Sequence, residues 1–164
     1  MPLSSATDKD LEAVTKQLGR PVRDTVAIAA RCICGNPIVV QTKPRLEDGT
    51  PFPTLYYLTL PAATSAVSTL EAEGLMAELQ DKLVTDEDLA ANYKSAHQSY
   101  LADRAQLGEV EEIDGISAGG MPTRVKCLHS LVAHSLAKGP GVNMIGDLAL
   151  AACSWSPSRC ECEK

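Results

Sequence analysis

The chain has 164 residues, 45% of them hydrophobic and 22% charged, which is the composition of one globular domain rather than a disordered segment. A formal net charge of −6 argues against general nucleic-acid binding, which needs a dense basic surface to displace counterions. No apolar run approaches the roughly 20 residues of a membrane span. The start, MPLSSATDKDLEAV, lacks the basic-then-apolar order of a secretory signal, so membrane insertion is not expected and a cytoplasmic location is. Aromatic residues make up only 4%, which calls for an aliphatic, alanine-rich core of closely packed helices.

Thr7 before DKD reads as a helix N-cap with acidic residues in the first turn. Leu11, Val14 and Leu18 supply the apolar stripe, and Gly19 stops it. Residues 24–31 (DTVAIAAR) and 37–42 (PIVVQT) read as strands joined by the turn-prone CICGN. KPRLEDGTPFP is a loop, and residues 54–60 (TLYYLTL) are a third strand candidate. After Pro61 the pattern turns helical. A helix over 62–80 is interrupted mildly by Gly74, and a second, capped around Thr85-Asp-Glu-Asp, runs to about Leu107. Residues 108–122 form an acidic loop of a length that is usually functional or mobile. A helix over 123–138 ends at Gly139-Pro140-Gly141, and a short one over 146–152 precedes the tail SWSPSRCECEK. The expectation is an α+β fold: a small antiparallel sheet of about three strands, then a helical half, with a single domain over 1–152 and a cysteine-bearing tail over 153–164.

Chemistry concentrates in VKCLHSLVAH, where Cys127, His129 and His134 fall within ten residues of a chain holding three histidines. On a helix Cys127 and His134 share a face, whereas Cys127 and His129 lie about 200° apart. One ion could not easily take both from a regular helix, so other ligands must come from Cys32, Cys34 or His97. Buried, hydrogen-bonded core residues are the alternative reading of all three. His97 shares a helix face with Tyr100. Upstream, Gly119, Gly120, Thr123, Arg124 and Lys126 surround a predicted helix start where cations oppose the helix dipole, an arrangement that suits a bound phosphate or carboxylate. The two C-x-C pairs, Cys32/Cys34 and Cys160/Cys162, could bring four thiolates to one zinc ion and tie the tail to the sheet. A frayed tail whose cysteines do nothing is the alternative.

The segments RCICGNPIVV, DGTPFPTLYYLTLP, STLEAEGLM, AHQSYL, GGMPTRVKCLHSLVAHSLA and GPGVNMIGD together resemble the bacterial family known as domain of unknown function 501, in its actinobacterial form. The resemblance runs from about Arg31 to Asp147. It implies a cytosolic protein of unassigned activity, whose gene neighbours resemble genes for a septum-formation coiled-coil protein and an exopolyphosphatase-like enzyme. The family pattern Cys-Pro-x-Gly-x-Pro maps onto Cys32, Gly35 and Pro37, with Ile33 departing from it. Many members resemble one another in carrying a cysteine where this chain has Leu60. A cysteine-rich cage would be weakened by that loss unless Cys34 substitutes. The best-matched residues are Cys32, His97, Lys126, Cys127, His129 and His134, and the resemblance implies one shared site. Cys160 and Cys162 look like an addition to it.

Three functions follow as expectations. The first is a zinc or other divalent-metal site built from Cys32, His97, Cys127 and His134, structural if closed and hydrolytic if left open. His129 and Lys126 would then be catalytic, and Cys127 as a nucleophile beside a base is a variant of this reading. The second is an anionic small molecule, a phosphate or nucleotide, bound by Gly119, Gly120, Thr123 and Arg124. The third is a non-catalytic interaction module in cell-envelope or division physiology that meets a protein partner through the acidic loop 108–118 and the tail.

Overall fold

The computed structural model describes residues 3–162, so Met1 and Pro2 of the leader reading and the last two residues of the expected tail lie outside it. Four strands form one antiparallel sheet in chain order: β1 (Ser4–Ser5), β2 (Thr25–Arg31), β3 (Pro37–Thr42) and β4 (Tyr56–Leu58). The α+β expectation stands. The extra edge strand is two serines long, too short to show a pattern in sequence. The regular part of the predicted third strand is Tyr56–Leu58; the Thr42 amide still bonds the Leu55 carbonyl and the Thr59 amide the Ile38 carbonyl, while the amides of Leu55 and Tyr56 go to the Tyr100 hydroxyl at 2.6 and 3.2 Å.

Register sorts the side chains. Ile28 pairs with Val40 and Val40 with Tyr57; Ala30 pairs with Val39 and Val39 with Leu58. Successive residues of β3 and β4 point to opposite faces, and a bulge between Ile28 and Ala30 parts those two as well, so the first set closes over Val14 and Leu18 of helix α1 (Asp8–Leu18). The second set faces the main core. A capping box starts α1, with the Thr7 side chain accepting from the Asp10 amide and Asp10 returning the bond to the Thr7 amide. Asp10 also receives both Arg31 Nη atoms, at 2.7 and 2.8 Å, and that pairing holds its carboxyl well below the usual carboxylate range. Arg31 Nη1 donates further to the Gly35 carbonyl at 3.1 Å, so one guanidinium braces both α1 and the turn after β2.

The helical stretch expected over 62–80 is two helices, α2 (Pro61–Ala72) and α3 (Leu75–Thr85), parted at Gly74, whose φ of +89° suits glycine. Helix α4 (Glu87–Ala105) is capped by Asp86 rather than Thr85, through a bond to the Leu89 amide. Helix α5 starts at Leu128, not Thr123, and runs to Lys138. Side chains from elsewhere keep 123–125 out of it: the Gln80 amide binds the Thr123 carbonyl (3.1 Å) and the Val125 amide (2.9 Å), and the Tyr93 hydroxyl takes the Arg124 carbonyl (2.6 Å). Leu131, Val132 and Ala133 of α5 are fully buried, and α5 lies between the sheet and α6 (Met144–Ala152). The core also takes in Trp155, from the segment that follows α6. Among the described residues no helix is long and apolar enough to cross a membrane.

Candidate metal centre

The turn between β2 and β3 is a tight knuckle. The Cys32 amide donates to the Asn36 carbonyl and the Gly35 amide to the Cys32 carbonyl, both at 2.8 Å. Within it the Cys34 amide points at the Cys32 sulfur and the Asn36 amide at the Cys34 sulfur. Backbone N–H groups aimed at sulfur favour the thiolate form and orient it as a ligand. The chain end returns over this turn, so the sulfurs of Cys32, Cys34, Cys160 and Cys162 all lie within 4.8 Å of one another. Cys34 and Cys162 are 3.6 Å apart. A tetrahedral zinc with Zn–S bonds of about 2.3 Å requires sulfur–sulfur edges of about 3.8 Å, so this pair already has the required separation. All four are free thiols.

Their electrostatics fit a cation. Burial pushes the Cys162 thiol up to about 12 and raises Cys32 as well, while the Asn36 amide draws Cys34 down to about 7. Four crowded thiols cannot all ionise alone, and a divalent ion offsets their mutual repulsion. A tetra-cysteine group this close can hold a metal ion. Leu60, where the family resemblance called for a cysteine, lines one cavity with Asn36 and Cys162.

The expected ligand set Cys32, His97, Cys127 and His134 is not brought together. Cys32 joins the tail cysteines, Cys127 joins a separate group, and among the described residues neither His97 nor His134 belongs to a cluster of ligand atoms. The physical reason is where each helix places its side chain. His97 Nδ1 pairs with Ser117 Oγ at 2.7 Å on the loop covering α4. His134, fully buried, stacks on Tyr56 and meets Tyr100 edge-on, and its Nδ1 accepts from Asn143 at 3.2 Å.

Burial pushes the His134 imidazole down to about 4, with Asp103 and Lys138 acting in opposite directions on it. It is therefore neutral in the fold and protonates more readily once unfolded. Stability from this group is full above about pH 6.5 and is lost as pH falls towards 4, to the extent of about 3 kcal/mol. Denaturant titrations of metal-free protein at pH 7 and 4.5 measure it: the loss should shrink in His134→Phe, and an unchanged loss would assign it to other groups.

The second cluster is Glu71, Cys127 and His129, whose ligand atoms also lie within 4.8 Å of one another. The helical-wheel separation of Cys127 from His129 does not apply, since Cys127 is the extended N-cap (φ −148°, ψ 107°) and lies outside the helix. Ser130 Oγ donates to Cys127 Sγ at 3.6 Å, and the Ser130 amide and the His129 ring also bond to it. Although burial opposes it, those bonds bring the Cys127 thiol below its ordinary value. The Cys127 thiol and then Glu71 raise His129 against the opposing effect of burial. Glu71 Oε1 meets His129 Nδ1 at 3.1 Å and Oε2 accepts from the Leu128 amide at 3.0 Å. Nothing in the sequence marked Glu71, which lies 57 residues before the amide it caps.

The expected anion-binding residues are otherwise placed. Gly119 and Gly120 have φ of +66° and +93°, and a side chain at Gly119 would press on Leu131 and one at Gly120 on the Arg124 carbonyl. Gly119 lets the loop lie close against α5, and Gly120 lets it fold back on its own residues Arg124 and Lys126. Thr123 and Arg124 are exposed and precede the helix start, where the carboxylate is the chain's own Glu71. Lys126 is exposed, and its amide donates to the Gly119 carbonyl at 2.7 Å.

No curated protein and no solved structure matches this chain. A family model described as "Protein of unknown function (DUF501)" matches residues 28–151, which include Cys32, Cys34, Glu71, Cys127 and His129 but not Cys160 or Cys162. With that match spanning most of its length, the chain belongs to the DUF501 family.

Proposed function

We propose that this protein is a zinc protein whose ion, held by Cys32, Cys34, Cys160 and Cys162, fastens the tail to the β2–β3 turn. The observation that carries the reading is the convergence of all four sulfurs within 4.8 Å from opposite ends of the chain. Zinc is favoured among metals by four soft sulfur donors in a tetrahedral set. A closed shell of four protein ligands leaves no position for a reactive water, so the ion's role here is structural rather than hydrolytic. The Asn36 amide and side chain, both directed at the sulfurs, would orient the ligands from outside the shell.

Titrating metal-free protein with Co(II) tests this. The expected result is saturation at about one equivalent, with the intense sulfur-to-metal absorption of tetrahedral thiolate coordination. Cys34→Ser and Cys162→Ser should each weaken binding at least tenfold, about 1.4 kcal/mol. Weak octahedral-type spectra, or saturation unaffected by either substitution, would reject the site.

A further inference from the structure

We propose that Cys127, His129 and Glu71 form a second, catalytic site in which Cys127 is the nucleophile of acyl transfer from an activated ester or thioester to water. The site is independent of the tail cysteines and lies wholly within the part of the chain matched by the family model.

Three features of the geometry carry the inference. Cys127 sits at the N-terminus of an eleven-residue helix, its sulfur receives the Ser130 hydroxyl at 3.6 Å and the Ser130 amide, and the His129 ring lies within 4.8 Å of it. That convergence stabilises negative charge on sulfur in the way reactive cysteines require. His129 is fixed on both sides: Nδ1 faces Glu71 Oε1 at 3.1 Å, and Nε2 faces the Thr64 carbonyl at 3.2 Å and Ser68 Oγ at 3.1 Å. The Cys127 thiol and the Glu71 carboxylate beside the ring favour its protonated form. Glu71 is itself held by the Leu128 amide, which makes it a positioning residue for His129. The arrangement is a nucleophile, a proton carrier and an orienting carboxylate.

The partners also indicate the reaction class. Among the described residues no second cysteine lies within hydrogen-bonding distance of Cys127 Sγ, so the sulfur has no resolving thiol for disulfide exchange. An imidazolium at its side can instead protonate a departing group. In the first step the Cys127 thiolate bonds to the carbonyl carbon, the bond to the leaving alkoxide or thiolate breaks, and the His129 proton passes to that leaving group. In the second, neutral His129 takes a proton from water while the water oxygen attacks the thioester carbon. The carbon–sulfur bond breaks, and an acid, the thiolate and the imidazolium are regenerated. Cys127, His129 and Ser130 are all partly exposed, so the cluster lies at the protein surface.

The test uses the full chain with p-nitrophenyl acetate as the probe. A burst of about one p-nitrophenolate per chain is expected, with the acetyl group mapped by peptide mass to Cys127. Cys127→Ser should abolish the burst. Glu71→Gln, which keeps an acceptor for the Leu128 amide, should lower kcat by about tenfold with KM and melting temperature unchanged. Iodoacetamide should label Cys127 about tenfold faster than Cys153. Acetyl groups scattered over other residues, a burst that survives Cys127→Ser, or equal labelling of the two cysteines would overturn the proposal. So would a second bound zinc per chain that shields Cys127 until it is chelated, since the cluster would then be a metal site.

Discussion

Truncating Trp155 to alanine is expected to lower the unfolding free energy by about 4 kcal/mol, the cost of a large cavity in a packed core. Trp155 is the only tryptophan and is 2% exposed, yet it lies beyond the last helix. It shares the wall of one cavity with Pro140, Leu150, Ala151 and Cys153, and it belongs to the main core. Among the described residues its buried Nε1 has no hydrogen-bond partner. Trp155→Phe should therefore cost clearly less than Trp155→Ala, because it keeps most of the packing and removes an N–H that burial leaves unpaired. Urea denaturation followed by circular dichroism separates the two. A Trp155→Ala loss under about 1 kcal/mol would mean that the indole is not part of the core. The same residue reports on the tail, since Cys160 and Cys162 follow it closely: chelating the metal should shift its emission to the red if the clasp helps to keep it buried.

Gly146→Ala is expected to destabilise by about 3 kcal/mol or more, although alanine is ordinarily the better helix former. A methyl at this position would fall on the Leu131 carbonyl oxygen and Ser135 Oγ of α5. A backbone carbonyl cannot rotate away as a side chain can, so α6 would have to withdraw from α5. That withdrawal also threatens the Ser135 bond to the Asn143 carbonyl and the Asn143 cap on the Gly146 amide, each 3.0 Å. Equilibrium denaturation gives the value directly. A variant within about 0.5 kcal/mol of the parent would show that the helices are not in such close contact.

Elements set by neighbouring residues were legible in the sequence. Thr7 and Gly19 bracket α1, and the strand–turn–strand over residues 25–42 follows from its own apolar pattern and turn residues. The C-x-C spacing also carried real information, because a knuckle of that length directs both sulfurs to one side. What could not be read depends on distant side chains. Thr123 looks like an N-cap, but Gln80 and Tyr93 hold the following residues out of the helix and delay α5 to Leu128. That delay moved Cys127 off the helical wheel and beside His129, reversing the inference drawn from their spacing. His134 shows the opposite effect. A histidine on an apolar helix face drew attention as a ligand, and its surroundings are two tyrosine rings and an asparagine. Arg31 would have read as a strand-end charge, yet it ties α1 and the cysteine turn together.

The zinc clasp is tested most directly by X-ray absorption at the zinc edge on protein purified without added metal, together with its metal content. One zinc per chain with four sulfur neighbours at about 2.3 Å is the predicted result. A metal-free chain whose four cysteines alkylate freely, or a zinc shell dominated by nitrogen and oxygen, would contradict it.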